Sequence, residues 1–191
     1  ILITGANGQL GRALSQQFNA LAGARPQALE VIALDRRQCD LESPVMLRQV
    51  VQDAKPDIII NAAAHTAVDL AETERDRAFA INARAPGILA EEARKTGAWL
   101  IHYSTDYVFD GSKTSAYEIT DVPNPVSVYG RSKLAGEAAI IASGCRHLII
   151  RTSWVYGARG KNFLLTMLKL ARERDSLRVV ADQFGAPTSS R

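Results

Sequence analysis

Short β-branched and aliphatic runs alternate along the chain with longer stretches whose apolar positions recur every three or four residues. The runs at 1–4, 30–35, 57–62, 98–104, 146–152 and 177–181 read as strands. Between them, Leu10, Leu14, Phe18 and Leu21 share one face of a first helix. Ser43 is placed to cap a second helix, Pro44 suits its first turn, and Asp53-Ala54-Lys55-Pro56 ends it. The stretch 70–96 is helical in pattern but carries Pro86-Gly87, which predicts a kink or break near Ala85, with Gly97 as the C-cap. Helices over 130–142 and 162–174 complete the alternation.

Strands alternating with crossover helices predict an α/β fold: a doubly wound parallel sheet of Rossmann type, covered by helices on both faces. Such sheets bind ligands outside the carboxyl ends of their strands. The unusual residues do fall just after strands. Thr4-Gly5-Ala6-Asn7-Gly8-Gln9-Leu10-Gly11 follows the first strand and opens a helix. The first glycine permits a tight turn, the second lets backbone N–H groups approach a pyrophosphate, and the third lets helix and sheet pack closely. A turn that merely connects strand to helix is the plain alternative, but the context favours a dinucleotide, with Gly5, Asn7, Gly8, Gln9, Leu10 and Gly11 as its contacts. Asp35 ends the second strand, where a carboxylate suits an adenosine ribose and so NAD. Arg36 and Arg37 beside it suit a 2'-phosphate and so NADP, although each also reads as a solvated strand end. Together these residues predict tolerance of both cofactors with a lean to NADPH.

Tyr129 and Lys133 stand four residues apart, which on a helix brings phenol and ammonium to one face. A cation in that position is expected to lower the phenol's pKa toward neutrality, where its proton becomes useful. This spacing is common on solvated helix surfaces. What sets it apart is its place after His102-Tyr103-Ser104-Thr105-Asp106-Tyr107, where hydroxyls emerge at the end of the fourth strand and can orient a substrate carbonyl.

Composition narrows the reading further. In 191 residues, 47% hydrophobic and 23% charged, there is room for the core of one full domain. The net charge of +3 is scattered without a run of like charge, so it favours an anionic small molecule at least as well as nucleic acid. Neither a nucleic-acid partner nor a membrane is expected, because the longest apolar run, near 58–64, is too short to span a bilayer. Cys39 and Cys145 show no metal or disulfide spacing, which fits a reducing cytoplasm. His65 reads as a packed or capping residue, and Glu72, Glu74 and Asp76 as a solvated helix face, so no metal is predicted.

The spacing of Gly5, Gly8 and Gly11 resembles that of the extended short-chain dehydrogenase/reductases. With the stretches 102–109, 129–137, 151–157 and 182–188 the chain resembles, over nearly its whole length, the dTDP-4-dehydrorhamnose reductase family. That resemblance implies NAD(P)H-dependent reduction of the 4-keto group of a nucleotide sugar, dTDP-4-dehydrorhamnose. It implies Thr105, Tyr129 and Lys133 as the catalytic set: Tyr129 protonating the nascent alkoxide, Thr105 bonding the carbonyl oxygen, Lys133 holding the nicotinamide ribose. It also places Ala62, Ala63 and Ala64 against the dinucleotide, Asp40 and Leu41 near the adenine, and Val68, Asp106, Tyr107 and Trp154 in the sugar pocket. For Trp154 the plain alternative is core packing, and for Asp40-Leu41 an acidic turn leading into a helix.

A homodimer is compatible with this reading. Two rivals share the fold: a noncatalytic regulatory subunit that keeps the dinucleotide turn, and a nucleotide-sugar epimerase or dehydratase. Intact Thr105, Tyr129 and Lys133 speak against the first; residues 151–156 and 184–188 favour a reductase over the second. The dinucleotide-binding domain is expected over 1–181. Residues 182–191 would begin the connection to a smaller C-terminal substrate domain that is largely absent here, so the chain alone is expected to bind dinucleotide but reduce the sugar poorly.

Overall fold

The computed structural model describes residues 1–24 and 29–190; Arg191, at the end of the expected connection, lies outside the described residues. Strands β1 (Leu2–Thr4), β2 (Ile32–Leu34), β3 (Ile58–Asn61), β4 (Trp99–Thr105) and β5 (Arg146–Thr152) pair in parallel in the order β2-β1-β3-β4-β5. Successive residues of a strand point to opposite faces, and Leu2 with Ile3 and Ile59 with Ile60 are all buried, so the central strands are apolar on both sides. The expected doubly wound parallel sheet is the one observed.

Helix α1 (Gln9–Ala24) carries the chain from β1 outward to β2, whereas α2 (Pro44–Ala54), α5 (Ala85–Thr96) and α6 (Val128–Ser143) serve connections running the other way. Right-handed crossovers therefore put α1 on one face and α2, α5 and α6 on the other. The direction reverses between β1 and β3, which opens a crevice at their carboxyl ends. Leu47 and Val51 of α2, Leu89 and Ala93 of α5 and Ile140 of α6 close over Leu2, Ile59 and Leu100, and all eight are fully buried. The capping of α2 is as its sequence suggests. The Ser43 hydroxyl accepts from the Met46 N–H at 3.3 Å, and Lys55, at φ 42°, ends the helix in the left-handed region.

The long helical stretch is interrupted twice. It consists of α3 (Val68–Thr73), α4 (Arg75–Phe79), a π turn at Ala80–Arg84, and α5. The π turn sits immediately before Ala85, where the kink is expected. Pro86 has no N–H for the Asn82 carbonyl, and that released oxygen lies where a Cβ on Gly136 of α6 would be, so the two helices meet almost backbone to backbone. The break at Glu74 has no glycine or proline to signal it. The Glu74 carboxylate is drawn to His65 at 3.2 Å and Arg77 at 2.9 Å, and its backbone leaves the helical region at φ −101°, ψ 44°.

The expected strand at 177–181 is absent from the structure. Those residues have no regular structure, Val179 and Val180 are exposed, and the five-stranded sheet ends at β5. A β-prone composition does not make a strand without a neighbour to pair with. Instead, β6 (Val155–Tyr156) pairs in parallel with β7 (Thr188–Ser189), flanking α7 (Phe163–Glu173), whose N-cap Asn162 accepts from the Leu165 N–H at 2.9 Å. Cys39 and Cys145 are both buried and free. Among the described residues no helix is long and apolar enough to cross a membrane.

Helix α6 is anchored to the sheet through Glu137, which is 3% exposed. Its carboxylate accepts from Arg151 of β5 at 2.6 and 3.0 Å and from the Ser104 hydroxyl of β4. Glu137→Gln removes the charge while keeping the shape, and Arg151 is then left without its counter-ion. The half-open setting of Arg151 moderates the loss, so chemical denaturation should show stability lower by about 2 kcal/mol. An unchanged denaturation midpoint would mean that the pair does not hold the helix.

Candidate active site

The crevice between β1 and β3 is lined first by main chain. Gly5 turns the chain at φ +75°, and a Cβ there would press on Ala63. The Gly8 N–H donates to the Gly5 oxygen at 2.9 Å, and the Arg12 N–H closes the first turn of α1 on the Gly8 oxygen at 3.0 Å. A Cβ on Gly11 would run into the Gly5 carbonyl, so only glycine lets α1 start this close to β1. The N–H groups of Gln9, Leu10 and Gly11 consequently have no acceptor within the helix and stand at its positive end, a cradle for a phosphate anion. What Gln9 offers is its backbone alone. Its side chain donates to the Lys161 carbonyl at 3.0 Å and accepts from Asn162 at 2.7 Å.

Beside the cradle, Asn7 donates to the Asp35 carboxylate at 3.2 Å, while the other Asp35 oxygen accepts the backbone N–H groups of Arg37 at 2.9 Å and Gln38 at 3.2 Å. The carboxylate thus stands at the end of β2, where a ribose would reach it. Arg36 is engaged already, with Glu42 at 2.6 Å and, more loosely, Asp40 at 3.9 Å. Asp40 itself accepts from the Glu42 N–H at 3.1 Å in a local turn, and Leu41 is 7% exposed in the main core. Ala62, Ala63 and Ala64 form the partly buried loop after β3, with Ala63 against Gly5 and its N–H on the Asn61 carbonyl oxygen at 3.3 Å.

The second half of the site gathers at the end of β4. Thr105 is buried there, its hydroxyl bonded to Asp106 at 3.0 Å and accepting from the Tyr107 N–H at 3.2 Å. The Tyr129 phenol stands close enough for Thr105 to pull its pKa downward. Tyr129, 9% exposed, meets Tyr107 edge to face with ring centroids 5.6 Å apart. Its position follows from Gly130, where a Cβ would strike the Tyr107 carbonyl, and from two caps of α6: the Ser127 hydroxyl accepts from the Gly130 N–H at 3.0 Å and Glu72 from the Val128 N–H at 2.7 Å. Val68 packs against the small apolar cluster that contains Tyr129.

The structure departs from one expectation. Lys133 is 1% exposed, and its Nζ is directed not at the phenol but at the Tyr103 carbonyl oxygen, 2.6 Å away, and His102 Nε2, 3.2 Å away. Burial draws the lysine pKa down to about 8, against a smaller upward pull from Glu137. The phenol is not acidified. Burial raises the Tyr129 pKa, Thr105 opposes that, and Asp106 and Tyr107 add to it. The spacing of Tyr129 and Lys133 puts both on one helix face, but in this dry surrounding each pays its own desolvation and Nζ bonds the Tyr103 carbonyl.

Trp154 lies two residues beyond Thr152, which is the register partner of Thr105. It is 45% exposed at φ 46°, unusual for a residue other than glycine, with its indole against Gly185. Core packing is therefore not its role. His65 is buried as expected. Its backbone is bracketed by Asn82, which accepts from the His65 N–H at 2.8 Å and donates to its carbonyl at 3.0 Å. Asn82 also donates to Ser132 of α6 at 3.0 Å. The acidic stretch 72–76 is more than a solvated face, since Glu72 caps α6 and Glu74 holds His65. Among the described residues no group of His, Cys, Asp and Glu is arranged to hold a metal ion.

Asn61, Asn82, His102 and Glu137 escaped the sequence reading. Two of them did carry a signal: His102 interrupts the apolar Leu100-Ile101 run and Asn61 ends Ile58-Ile59-Ile60, and a polar residue inside a buried strand needs a partner.

Comparison with known proteins places this geometry. The profile of the RmlD substrate binding domain family matches residues 1–191. A dTDP-4-dehydrorhamnose reductase of Burkholderia thailandensis is 50% identical over 191 residues, covering 100% of this chain and 62% of that protein. One from Salmonella typhimurium is 45% identical, with 100% of this chain and 62% of that protein covered. The crystal structure of the Bacillus anthracis dTDP-4-dehydrorhamnose reductase in complex with NADP superposes with a TM-score of 0.92 at 42% identity, over 99% of this chain and 65% of that one. The chain thus spans somewhat less than two thirds of the length of these relatives.

Burial of Lys133 has a consequence for stability. Its folded pKa of about 8 lies below the ordinary 10.5, so between those values the unfolded chain binds more protons than the folded one. Stability contributed by this group should therefore rise with pH across that window, by about 3 kcal/mol in all, and be lowest below pH 8. Denaturation of the parent and of Lys133→Met at pH 7 and pH 10 should show this rise in the parent only. Parallel pH curves for the two proteins would contradict it.

Proposed function

The chain belongs to the RmlD substrate binding domain family, and on that premise we propose that it is the dinucleotide-binding and catalytic part of an NADPH-dependent reductase that converts dTDP-4-dehydrorhamnose to dTDP-L-rhamnose. The observation that carries the reading is the meeting of buried Thr105 and Tyr129 at the carboxyl end of the same sheet whose crevice holds the Gly5–Gly11 cradle. Glycines on which a Cβ would collide, and helix N–H groups without acceptors, fit a pyrophosphate. The NADP bound by the Bacillus anthracis relative supports the choice of ligand.

The reduced nicotinamide supplies hydride to the keto carbon when bound. What the chain contributes is direction and a proton. Thr105 bonds the keto oxygen and fixes its orientation. As negative charge grows on that oxygen, the Tyr129 hydroxyl hands over its proton. For a reduction the acid must be protonated beforehand, and a phenol whose pKa is raised by burial satisfies that at neutral pH. Lys133, one helical turn from Tyr129, bonds the hydroxyls of the nicotinamide ribose once its Nζ leaves the Tyr103 carbonyl. Val68, Asp106, Tyr107 and Trp154 form the sugar-facing wall, Tyr107 and Trp154 offering exposed aromatic faces. At the adenosine end Asp35 takes the ribose, and Arg36 takes a 2'-phosphate by exchanging its Glu42 partner for it.

Two measurements on the complete protein test this. Tyr129→Phe, assayed by NADPH oxidation with the 4-keto sugar nucleotide, should lose about 10²- to 10⁴-fold in turnover while NADPH binding changes little. A variant as fast as the parent removes Tyr129 as the acid. Arg36→Ala should weaken NADPH binding roughly tenfold, about 1.4 kcal/mol, and leave NADH binding nearly unchanged. Equal losses for both cofactors would show that Arg36 does not read the 2'-phosphate.

A further inference from the structure

Behind the catalytic face a buried chain of polar groups crosses three strands of the sheet. The Thr4 hydroxyl of β1 donates to the Asn61 carbonyl oxygen at 2.8 Å. Asn61 Nδ2 of β3 meets His102 Nδ1 at 3.1 Å, His102 Nε2 of β4 meets Lys133 Nζ at 3.2 Å, and Nζ donates to the Tyr103 carbonyl at 2.6 Å. Thr4 and His102 are 0% exposed, and Asn61 and Lys133 1%. Water does not reach these groups, so each must find its donors and acceptors among the others.

Donor counting fixes the directions. The Asn61 carbonyl oxygen is committed twice, to Thr4 and to the Ala63 N–H at 3.3 Å. Turning the amide over would set its NH₂ against that N–H, donor to donor. Asn61 therefore donates to His102 Nδ1, and a neutral imidazole that accepts at Nδ1 carries its proton on Nε2. Burial keeps the ring uncharged. The Nε2–H then points at Lys133 Nζ, and an ammonium has no lone pair to receive it.

We propose that His102, locked by Asn61 as the Nε2-protonated tautomer, is a positioning residue for Lys133: its ring N–H selects the uncharged, accepting amine and makes the lysine's charge conditional on what binds beside it. Burial of Nζ acts in the same direction. Glu137 lies one turn along the same helix and is itself paired with Arg151 of β5; Asp106, after β4, acts on Tyr129; Glu72 of α3 is spent on the Val128 N–H. A proton taken from solvent turns Nζ into a donor only, which breaks the contact with His102 and releases the side chain toward ribose hydroxyls. The Ala63 N–H that fixes Asn61 belongs to the wall of the glycine cradle, so the same chain joins the lysine to the phosphate side of the site. The effect on turnover rests on the function proposed above; the state of His102 and Lys133 in the free protein does not.

The test therefore begins without cofactor, on the complete protein. ¹⁵N NMR of the imidazoles at pH 9 should find His102 protonated at Nε2, and protonation at Nδ1 would overturn the proposal. In His102→Gln the amide oxygen gives Nζ an acceptor, so the pH midpoint of Lys133, followed through its ¹³Cε shift, should rise by about one pH unit. An unmoved midpoint would likewise overturn it, whereas a merely structural histidine would leave that midpoint alone. With cofactor, the KM for NADPH should climb above the parent's midpoint and do so at higher pH in the variant. If NADPH does not bind at all, the reductase reading fails while the two measurements on the free protein still decide the role of His102.

Discussion

The close approach of α6 to the end of β4 is the constraint on which the rest of the site depends. Gly130 lies against the Tyr107 carbonyl and Gly136 against the Asn82 carbonyl, and at both contacts a methyl group would force the helix outward. Glu137 then ties the helix to β4 and β5 through Ser104 and Arg151. With these contacts the Tyr129 hydroxyl meets Thr105 and the Lys133 amine meets the backbone of β4. Without them a tyrosine and a lysine four residues apart would be an ordinary pair on a helix surface. The π turn before Pro86 belongs to the same constraint, since the carbonyl that Pro86 cannot bond is the one Gly136 receives.

Depth of burial then decides the electrostatics. In water a lysine beside a phenol lowers its pKa through a modest Coulomb attraction. In this interior the cost of removing each group from solvent exceeds that attraction, and the two groups move toward their neutral forms: the lysine downward, the phenol upward. For the reduction proposed above, the neutral phenol is the form with a proton to give. A phenol already ionised would be a base, suited to the reverse oxidation, whereas one kept neutral can protonate an alkoxide as it forms.

Much of the fold was legible because it rests on local chemistry. Ser43 and Pro44 opened a helix, Gly97 closed one, and the glycines after β1 signalled a cradle, each through a requirement of its own backbone. The run at 177–181 misled because strand formation is not local. Leu177, Val179 and Val180 have the right composition, but no neighbouring strand supplies the hydrogen bonds. Of the site, the sequence indicated Tyr129, Lys133 and the strand-end hydroxyls, and resemblance singled out Thr105. The sequence did not indicate Asn82, and at Asn61 and His102 it showed only a polar residue in an apolar strand, because their partners lie 17 to 57 residues away in the chain. The direction of Lys133 was misread for the same reason: helical spacing shows which residues share a face, not which carbonyl of another strand lies nearer.

The two halves of the site rest on different physics, and this bears on how each can vary. The phosphate cradle is made of main-chain N–H groups and glycines, carries no titratable group, and depends on the chain being able to pass through Gly5 and past Gly11. The proton-handling half is made of side chains in a dry interior, where each depends on the protonation of its neighbour. A substitution in the first half acts through shape and is felt in binding. One in the second half can leave shape intact and still move the charge of a residue two hydrogen bonds away. Asn61 stands on the boundary, with one oxygen shared between Thr4 and the Ala63 N–H of the cradle and an NH₂ on His102. It is the one residue of the buried chain that bonds to both halves.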